Sequence, residues 1–177
     1  MNPINLLLSL LLLYCSIINI SAQSHIITSG LGVKGFIEIG KTVKQNQATA
    51  GRGIINKESI RGGCIRVKGH KWVSYLYYPQ YGVKAYIDRH IYSKKKNKQV
   101  NWICFGSTFK GGLENGITIG KTTRKEIYEL YGRKEYDNPG IQYISLGIGF
   151  VFDNTEVDGN ETDILKEIEV FEPRIEK

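Results

Sequence analysis

The chain has 177 residues, a formal net charge of +7 and three cysteines. A length of this order supports one medium domain or two small ones. Because such a chain buries roughly two thirds of the surface it exposes when unfolded, it can fold without a cofactor, and we expect none.

The first segment is apolar. Residues 6–18 form an apolar run, and no charged side chain occurs before His25. The run is shorter than the ~20 apolar residues that span a bilayer. It has the length of a signal-peptide core and is followed by the small residues Ser21 and Ala22. Residues 1–22 are therefore predicted to be a signal peptide. The remaining chain is then exported, to a periplasm, a cell surface or the medium, without a stable membrane span.

Two alternatives to cleavage stay open. The segment has no Lys or Arg before its apolar core, so it also fits an uncleaved anchor. Lipidation of Cys15 is the second alternative, although Tyr14 is bulkier than the residue that a lipoprotein signal places there.

Cleavage would leave Cys64 and Cys104 as an even pair in an exported protein, which favours a disulfide. The other interpretation is two buried thiols that pack as small hydrophobic groups.

Charge is divided unevenly along the chain. Residues 23–108 contain 15 Lys and Arg against three acids, a net of +12, and residues 109–177 contain nine against 14, a net of −5. This asymmetry indicates an anionic partner for the first half, or attraction between halves or copies. Uneven solvated surface charge is the alternative.

Residues 35–42, GFIEIGKT, match the phosphate-loop pattern G-x-x-x-x-G-K-[ST]. The spacer between the glycines is large and β-favouring, whereas a phosphate loop must curl its amides around the anion. The related stretch at residues 117–122, ITIGKT, has Asn115 where the first glycine would stand. We therefore predict no nucleotide binding.

The second stretch leads into a helix signal. Thr123 and Glu126 form a capping-box pattern, and Gly132 stands where a helix would end. In the first stretch, Thr42 and Gln45 predict a shorter helix ending by residues 50–51. The lysines of both stretches are interpreted as surface residues.

Alternating apolar residues then predict strands, at Val83, Ala85 and Ile87 and again at residues 148–152. The two halves correspond at these strands and at I-x-I-G-K-T. The sequence thus predicts an α+β fold of two tandem helix-plus-antiparallel-sheet repeats, residues 23–108 and 109–177, the first degenerate and carrying an insertion.

The run from I-x-I-G-K-T through Glu126 and Gly132 to the V-F-D at residues 151–153 resembles the SmpA/BamE-like small outer-membrane lipoprotein family. It is also similar to the tandem-repeat β-lactamase inhibitory protein. The resemblance covers residues 117–171, and residues 37–105 more loosely. It implies a non-enzymatic, protein-binding role and carries over no catalytic residue.

Catalytic and metal signatures are missing from the sequence. The three histidines, His25, His70 and His90, lie at no zinc-ligand spacing. The acidic residues 153–163 fail the calcium-loop pattern. We predict no catalytic and no metal-ligating residue.

One stretch is rich in aromatic and basic side chains, which are common at protein-binding surfaces. Tyr86 should face away from the core, because Ala85 and Ile87 point inward. The alternative is that most of these rings fill the core. The candidate binding residues are Trp72, Tyr75, Tyr77, Tyr81, Lys84, Tyr86 and Arg89.

These features favour an exported, non-enzymatic interaction protein of the adaptor or inhibitor type, which presents a sheet surface to a protein partner. The first alternative is a module that binds an anionic polymer, a glycan or a nucleic acid, through the basic and aromatic first half. The second alternative is an enzyme whose site is scattered in the sequence.

Overall fold

The computed structural model of the chain describes residues 25–60, 71–87, 98–133, 140–154 and 160–174. The predicted signal peptide, residues 1–22, lies outside them. No helix in the described ranges has the length and apolar character needed to cross a membrane.

The described elements are mostly short strands. In chain order they are β1 (Ile26–Ile27), β2 (Gly32–Val33), β3 (Ile37–Glu38), α1 (Val43–Ala50), β4 (Ile54–Ile60), β5 (Lys71–Tyr78), β6 (Val83–Ile87), β7 (Val100–Phe105), β8 (Gly112–Leu113), α2 (Arg124–Tyr131), β9 (Gly140–Tyr143), a 3₁₀ turn (Ile144–Leu146), β10 (Ile148–Phe152) and β11 (Leu165–Phe171).

One seven-stranded sheet dominates the structure, in the order β4-β5-β6-β7-β11-β10-β9. All of its neighbouring strands are antiparallel. The remaining short strands form two separate pairs, β1 with β8 and β2 with β3. Strands from both halves of the chain thus share one hydrogen-bonded sheet, joined where β7 pairs with β11.

The predicted fold class is therefore wrong. The described chain is mostly β, with two α-helices of eight residues each, and it does not show an α+β fold of two tandem helix-plus-sheet repeats. The recurring patterns in the sequence report helix starts and strand alternation. These are local signals, and any sheet built from alternating strands repeats them.

The local helix predictions are confirmed. Thr42 and Gln45 form a capping box at the start of α1, and Thr123 and Glu126 form one at the start of α2. In each case the threonine hydroxyl accepts from the third helical amide while the longer side chain accepts from the threonine amide, so two amides gain partners. Helix α1 ends at Ala50, as expected.

The alternating strand residues are buried against the helices. Val83, Ala85 and the β10 residues Ile148, Phe150 and Phe152 are all 0% exposed. They belong to one continuous main core, which also contains Ile127 of α2. One face of the large sheet, the face toward the helices, therefore supplies most of the buried apolar surface that stabilises the fold.

A buried ion pair fixes the start of α2. Arg124 and Asp163 lie 3.2 Å apart between Nη2 and Oδ2, with side chains 2% and 8% exposed. The Arg124 guanidinium also lies 4.2 Å from the centre of the Phe152 ring. In addition, the Arg124 amide donates to the Asp163 carbonyl oxygen at 2.9 Å. Helix, loop and core strand are thus held together at one point.

Substituting Asp163→Ala leaves the Arg124 charge buried without this carboxylate, so we expect the free energy of unfolding to fall by about 3–5 kcal/mol. The matched control is Lys125→Ala, next in sequence, because Lys125 pairs with Glu129 at 4.0 Å on the exposed helix surface. Such a pair contributes about 0.3–0.5 kcal/mol. Urea unfolding followed by circular dichroism measures both changes. Equal losses in the two variants would contradict this role for the pair.

Candidate functional site

The candidate site is the face of the large sheet that points away from the main core. Residues alternate along each strand, so the neighbours of the core residues Leu76, Ala85, Ile103, Ile168 and Ile141 point to the other side. We call this side the second face and define it by Glu58, Val73, Tyr75, Tyr77, Lys84, Tyr86, Trp102, Cys104, Gln142, Glu167, Glu169 and Phe171.

Four aromatic residues form a row across the second face. Tyr75 lies opposite Tyr86, Tyr86 opposite Trp102, and Trp102 opposite Phe171, on four adjacent strands. The Tyr75 and Tyr86 rings are 5.4 Å apart, and Trp102 stacks on Phe171 at 4.5 Å with an angle of 26°. We call these residues the aromatic row. Cross-strand aromatic pairs of this kind also stabilise the sheet.

A polar row runs beside the aromatic row. Lys84 lies opposite Cys104, and Cys104 opposite Glu169. The Cys104 thiol donates to Glu169 Oε1 at 3.8 Å, and Gln142 donates to Glu169 Oε2 at 3.3 Å. These bonds orient a carboxylate that is 8% exposed. They therefore offset part of the cost of burying a charged group.

Three side chains on or beside this row have the chemistry of metal ligands. The Cys104 sulfur and one oxygen each of Glu167 and Glu169 lie within 4.8 Å of one another. The thiol–carboxylate hydrogen bond already explains the approach of Cys104 to Glu169. The grouping was not predicted from the sequence, and the prediction that no residue ligates a metal stays a prediction.

A second charged group borders the row. Glu58 Oε2 lies 3.3 Å from the Lys84 ammonium, and the Tyr86 hydroxyl donates to Glu58 Oε1 at 2.5 Å. The ammonium also lies 5.3 Å from the centre of the Tyr75 ring. Burial lowers the pKa of Lys84, but the charge and hydrogen bond of Glu58, together with Tyr75 and Cys104, outweigh burial and raise the pKa above its usual value. Lys84 therefore stays charged and paired on this face.

The second face gathers four of the seven candidate binding residues: Tyr75, Tyr77, Lys84 and Tyr86. Tyr86 points away from the main core as predicted. It is nonetheless only 4% exposed, because it packs with Tyr75 and Trp102. The outward side of this sheet is itself packed, and alternation alone does not reveal that.

The other three candidates lie elsewhere. Trp72 lies on the same face of β5 as Leu76, which is the face toward the helices. It is 68% exposed and is not part of the main core. Tyr81 is half-buried and packs against Phe36, with ring centres 4.8 Å apart. Arg89 lies outside the described residues.

Sequence reasoning missed Trp102, Phe171, Gln142 and the two glutamates. A usable signal was present for most of them. In VNWICF the residues beside Ile103 are Trp102 and Cys104, and in LKEIEVF the residues beside Ile168 are Glu167 and Glu169. Period-two alternation assigns these neighbours to the opposite face, but only the pairing of β7 with β11 shows that they meet.

One of the two cysteines of the predicted disulfide lies in the described part of the chain. Cys104 is buried on the second face. Cys64 lies outside the described residues, so the bond between Cys64 and Cys104 stays a prediction.

The phosphate-loop-like stretch contains its own anion. Glu38 Oε1 accepts from the Gly35 amide at 2.9 Å and from the Lys41 ammonium at 2.6 Å. The Lys41 hydrogen bond is the largest cause of a lowered pKa for Glu38. The buried Asn46 side chain fixes the Glu38 backbone, accepting from its amide at 2.8 Å. The Glu38 carboxylate thus occupies the Gly35 amide and the Lys41 ammonium of this stretch. The absence of nucleotide binding stays a prediction.

Comparisons with known proteins assign no family. No protein-family model matches the sequence, and no curated protein sequence matches it. Among solved structures, the chain is similar to the uncharacterized protein yfeY from Escherichia coli, at 10% sequence identity. That similarity covers 84% of this chain and 99% of the other, with a TM-score of 0.49. At that level it assigns neither fold family nor function. The resemblance to SmpA/BamE-like proteins and to β-lactamase inhibitory protein gains no support and stays a prediction.

Substituting Lys41→Met should raise the pKa of Glu38 toward the ordinary value of 4.5. The lowered pKa makes the ionised form of Glu38 stabilising above pH 4.5, and this contribution is lost as the pH falls through the folded-state pKa. The variant should therefore have a lower free energy of unfolding at neutral pH. Its free energy of unfolding should also fall less steeply as the pH decreases below 4.5. Urea unfolding between pH 2 and 7 measures this, together with NMR titration of the carboxyl carbon.

The control is Lys121→Met, at the equivalent lysine of the second I-x-I-G-K-T stretch. Lys121 is exposed, and this stretch has Thr118 at the position that Glu38 holds in the first stretch. The control should leave the titration of Glu38 and the acid limb of stability unchanged. An unchanged Glu38 titration in Lys41→Met would refute the pairing.

Proposed function

We propose that this protein is an exported, non-enzymatic interaction protein that binds a partner protein through the second face of its sheet. The aromatic row is the observation that supports the proposal. Tyr and Trp are the residue types that contribute most to binding when they lie near the centre of an interface. Here Tyr75 and Trp102 are half-buried, so each ring is fixed by neighbours and still reaches solvent. A preorganised ring loses little entropy on binding.

The charges of the second face favour a protein over an anionic polymer. Lys84 is paired with Glu58, while Glu167 and Glu169 add two more carboxylates. A face with this balance would repel a chain of phosphates or sulfates. Seven of the 15 basic residues of the first half stand in residues 61–70 and 88–97, outside the described ranges, and the other eight are described. Binding of a polymer would have to rely on the first group or on basic residues away from the second face.

Substituting Tyr75→Ala or Trp102→Ala should reduce capture of the partner at least about tenfold, the loss expected when an interface hot spot is truncated. Each variant is produced as the full chain, immobilised and exposed to an extract of the source cells, and bound proteins are quantified by mass spectrometry. Thermal unfolding confirms that the variants are folded, which matters for Trp102 because it stacks on Phe171.

The matched control is Trp72→Ala, which removes an exposed indole from the helix side of the same sheet. It should capture the partner as the unsubstituted chain does. If the control loses capture while Tyr75→Ala retains it, the binding surface is not the second face.

Added salt separates a protein partner from an anionic polymer, since binding of a polyanion weakens steeply with salt. A steep salt dependence that both aromatic variants share with the unsubstituted chain would favour the anionic polymer.

A further inference from the structure

Strand β4 is an edge of the large sheet and pairs, among the described elements, with β5 alone. It carries two adjacent isoleucines, Ile54 and Ile55, which are 53% and 60% exposed. They point to opposite faces of the sheet. An edge strand presents backbone N–H and C=O groups that match those of another strand. The chemistry of this edge, a backbone ladder flanked by apolar side chains on both faces, is that of a site for strand addition.

We propose that β4 pairs antiparallel with β4 of a second copy of this chain, around a two-fold axis at Ile55. Residues that lie opposite each other in an antiparallel ladder point to the same face. A two-fold axis perpendicular to the sheet therefore pairs residues whose numbers add to an even total. With the axis at Ile55, Ile55 meets Ile55 and Ile54 meets Asn56 within β4. Continued two residues before β4, the same pairing sets Arg52 against Glu58 of the other copy.

Side-chain charge disfavours the registers centred on Asn56, Lys57 and Glu58. An axis at Lys57 or at Glu58 would set that charged residue directly against its own copy, which destabilises a strand pair. An axis at Asn56 would set Ile54 against Glu58 and Ile55 against Lys57. The axis at Ile55 instead brings opposite charges together twice, Arg52 against Glu58, and places Lys57 opposite Gly53, which has no side chain of its own.

A buried hydroxyl supports the same register. The ring of Tyr78 covers Gly53 so closely that a Cβ there would lie 2.9 Å from Tyr78 Cζ. Tyr78 is 0% exposed, and its hydroxyl has no hydrogen-bond partner among the described residues. Burial raises the pKa of this hydroxyl, so it stays a neutral phenol. Lys57 of the second copy, lying opposite Gly53, would bring an ammonium donor to that end of the ring.

Such a dimer would continue the sheet from one copy into the other. Because the axis is perpendicular to the sheet, the two second faces would lie on the same side, with the aromatic rows at either side of the joint. This inference goes beyond the binding role proposed above and does not depend on it. The purified chain alone tests it.

The test is a cysteine scan. Opposite residues in an antiparallel ladder have Cα atoms about 4.5–5.5 Å apart, within the range that a disulfide bridges. The full chain with Ile55→Cys should give a 55–55 disulfide-linked dimer under mild oxidation, mapped by peptide mass spectrometry to separate it from links to the native cysteines. In this register the two Lys57 residues are displaced by four residues, about 13 Å along the strands, which is too far for a disulfide.

Lys57→Cys is therefore the register control and should give a roughly tenfold lower yield of its own self-linked peptide. Light scattering after gel filtration should show the unsubstituted chain at twice the mass of one copy, and Ile55→Lys at the mass of one. A monomeric unsubstituted chain overturns the proposal. So does a 57–57 link formed as readily as the 55–55 link. The cysteine variants keep the proposal testable if Ile55→Lys does not fold.

Discussion

The pairing of β7 with β11 is the interaction on which the rest of the structure depends. It sets Ile103 against Val170 on the main-core side and Trp102 against Phe171 on the second face. One ladder thus joins strands that are far apart in the sequence and fixes both faces at once. A slip of one residue would exchange the two sets of side chains between core and solvent, so the register is specified from both sides.

This constraint explains why one side of the sheet can be an apolar core while the other side carries aromatic rings and carboxylates. The helices and short strands bury the apolar side of the sheet, which supplies the hydrophobic stabilisation. The opposite side then tolerates aromatic rings and carboxylates that already have partners within the sheet, such as Tyr86 with Glu58 and Cys104 with Glu169. Side chains held in this way present a fixed surface, and a fixed surface loses less entropy when a partner binds.

Sequence reasoning succeeded where the physics is local. The capping boxes at Thr42 and Thr123 need only four consecutive residues, and the buried alternation of β10 needs only five. It failed where the outcome depends on distant pairing. The single sheet and the meeting of Cys104 with Glu169 follow from the β7–β11 ladder, and the burial of Tyr86 follows from the pairing of β6 with β5 and β7. No local pattern encodes these pairings. Similar helix starts in both halves suggested a repeated fold that the described structure does not show.

Fluorine NMR of the two tryptophans tests the central claim most directly. The sequence contains only Trp72 and Trp102, and they lie on opposite faces of the sheet. The chain labelled with 5-fluorotryptophan gives one resonance for each, assigned by single substitution to Phe. On addition of extract from the source cells, the account predicts that the Trp102 resonance shifts or broadens while that of Trp72 stays unchanged. A change confined to Trp72 would contradict it.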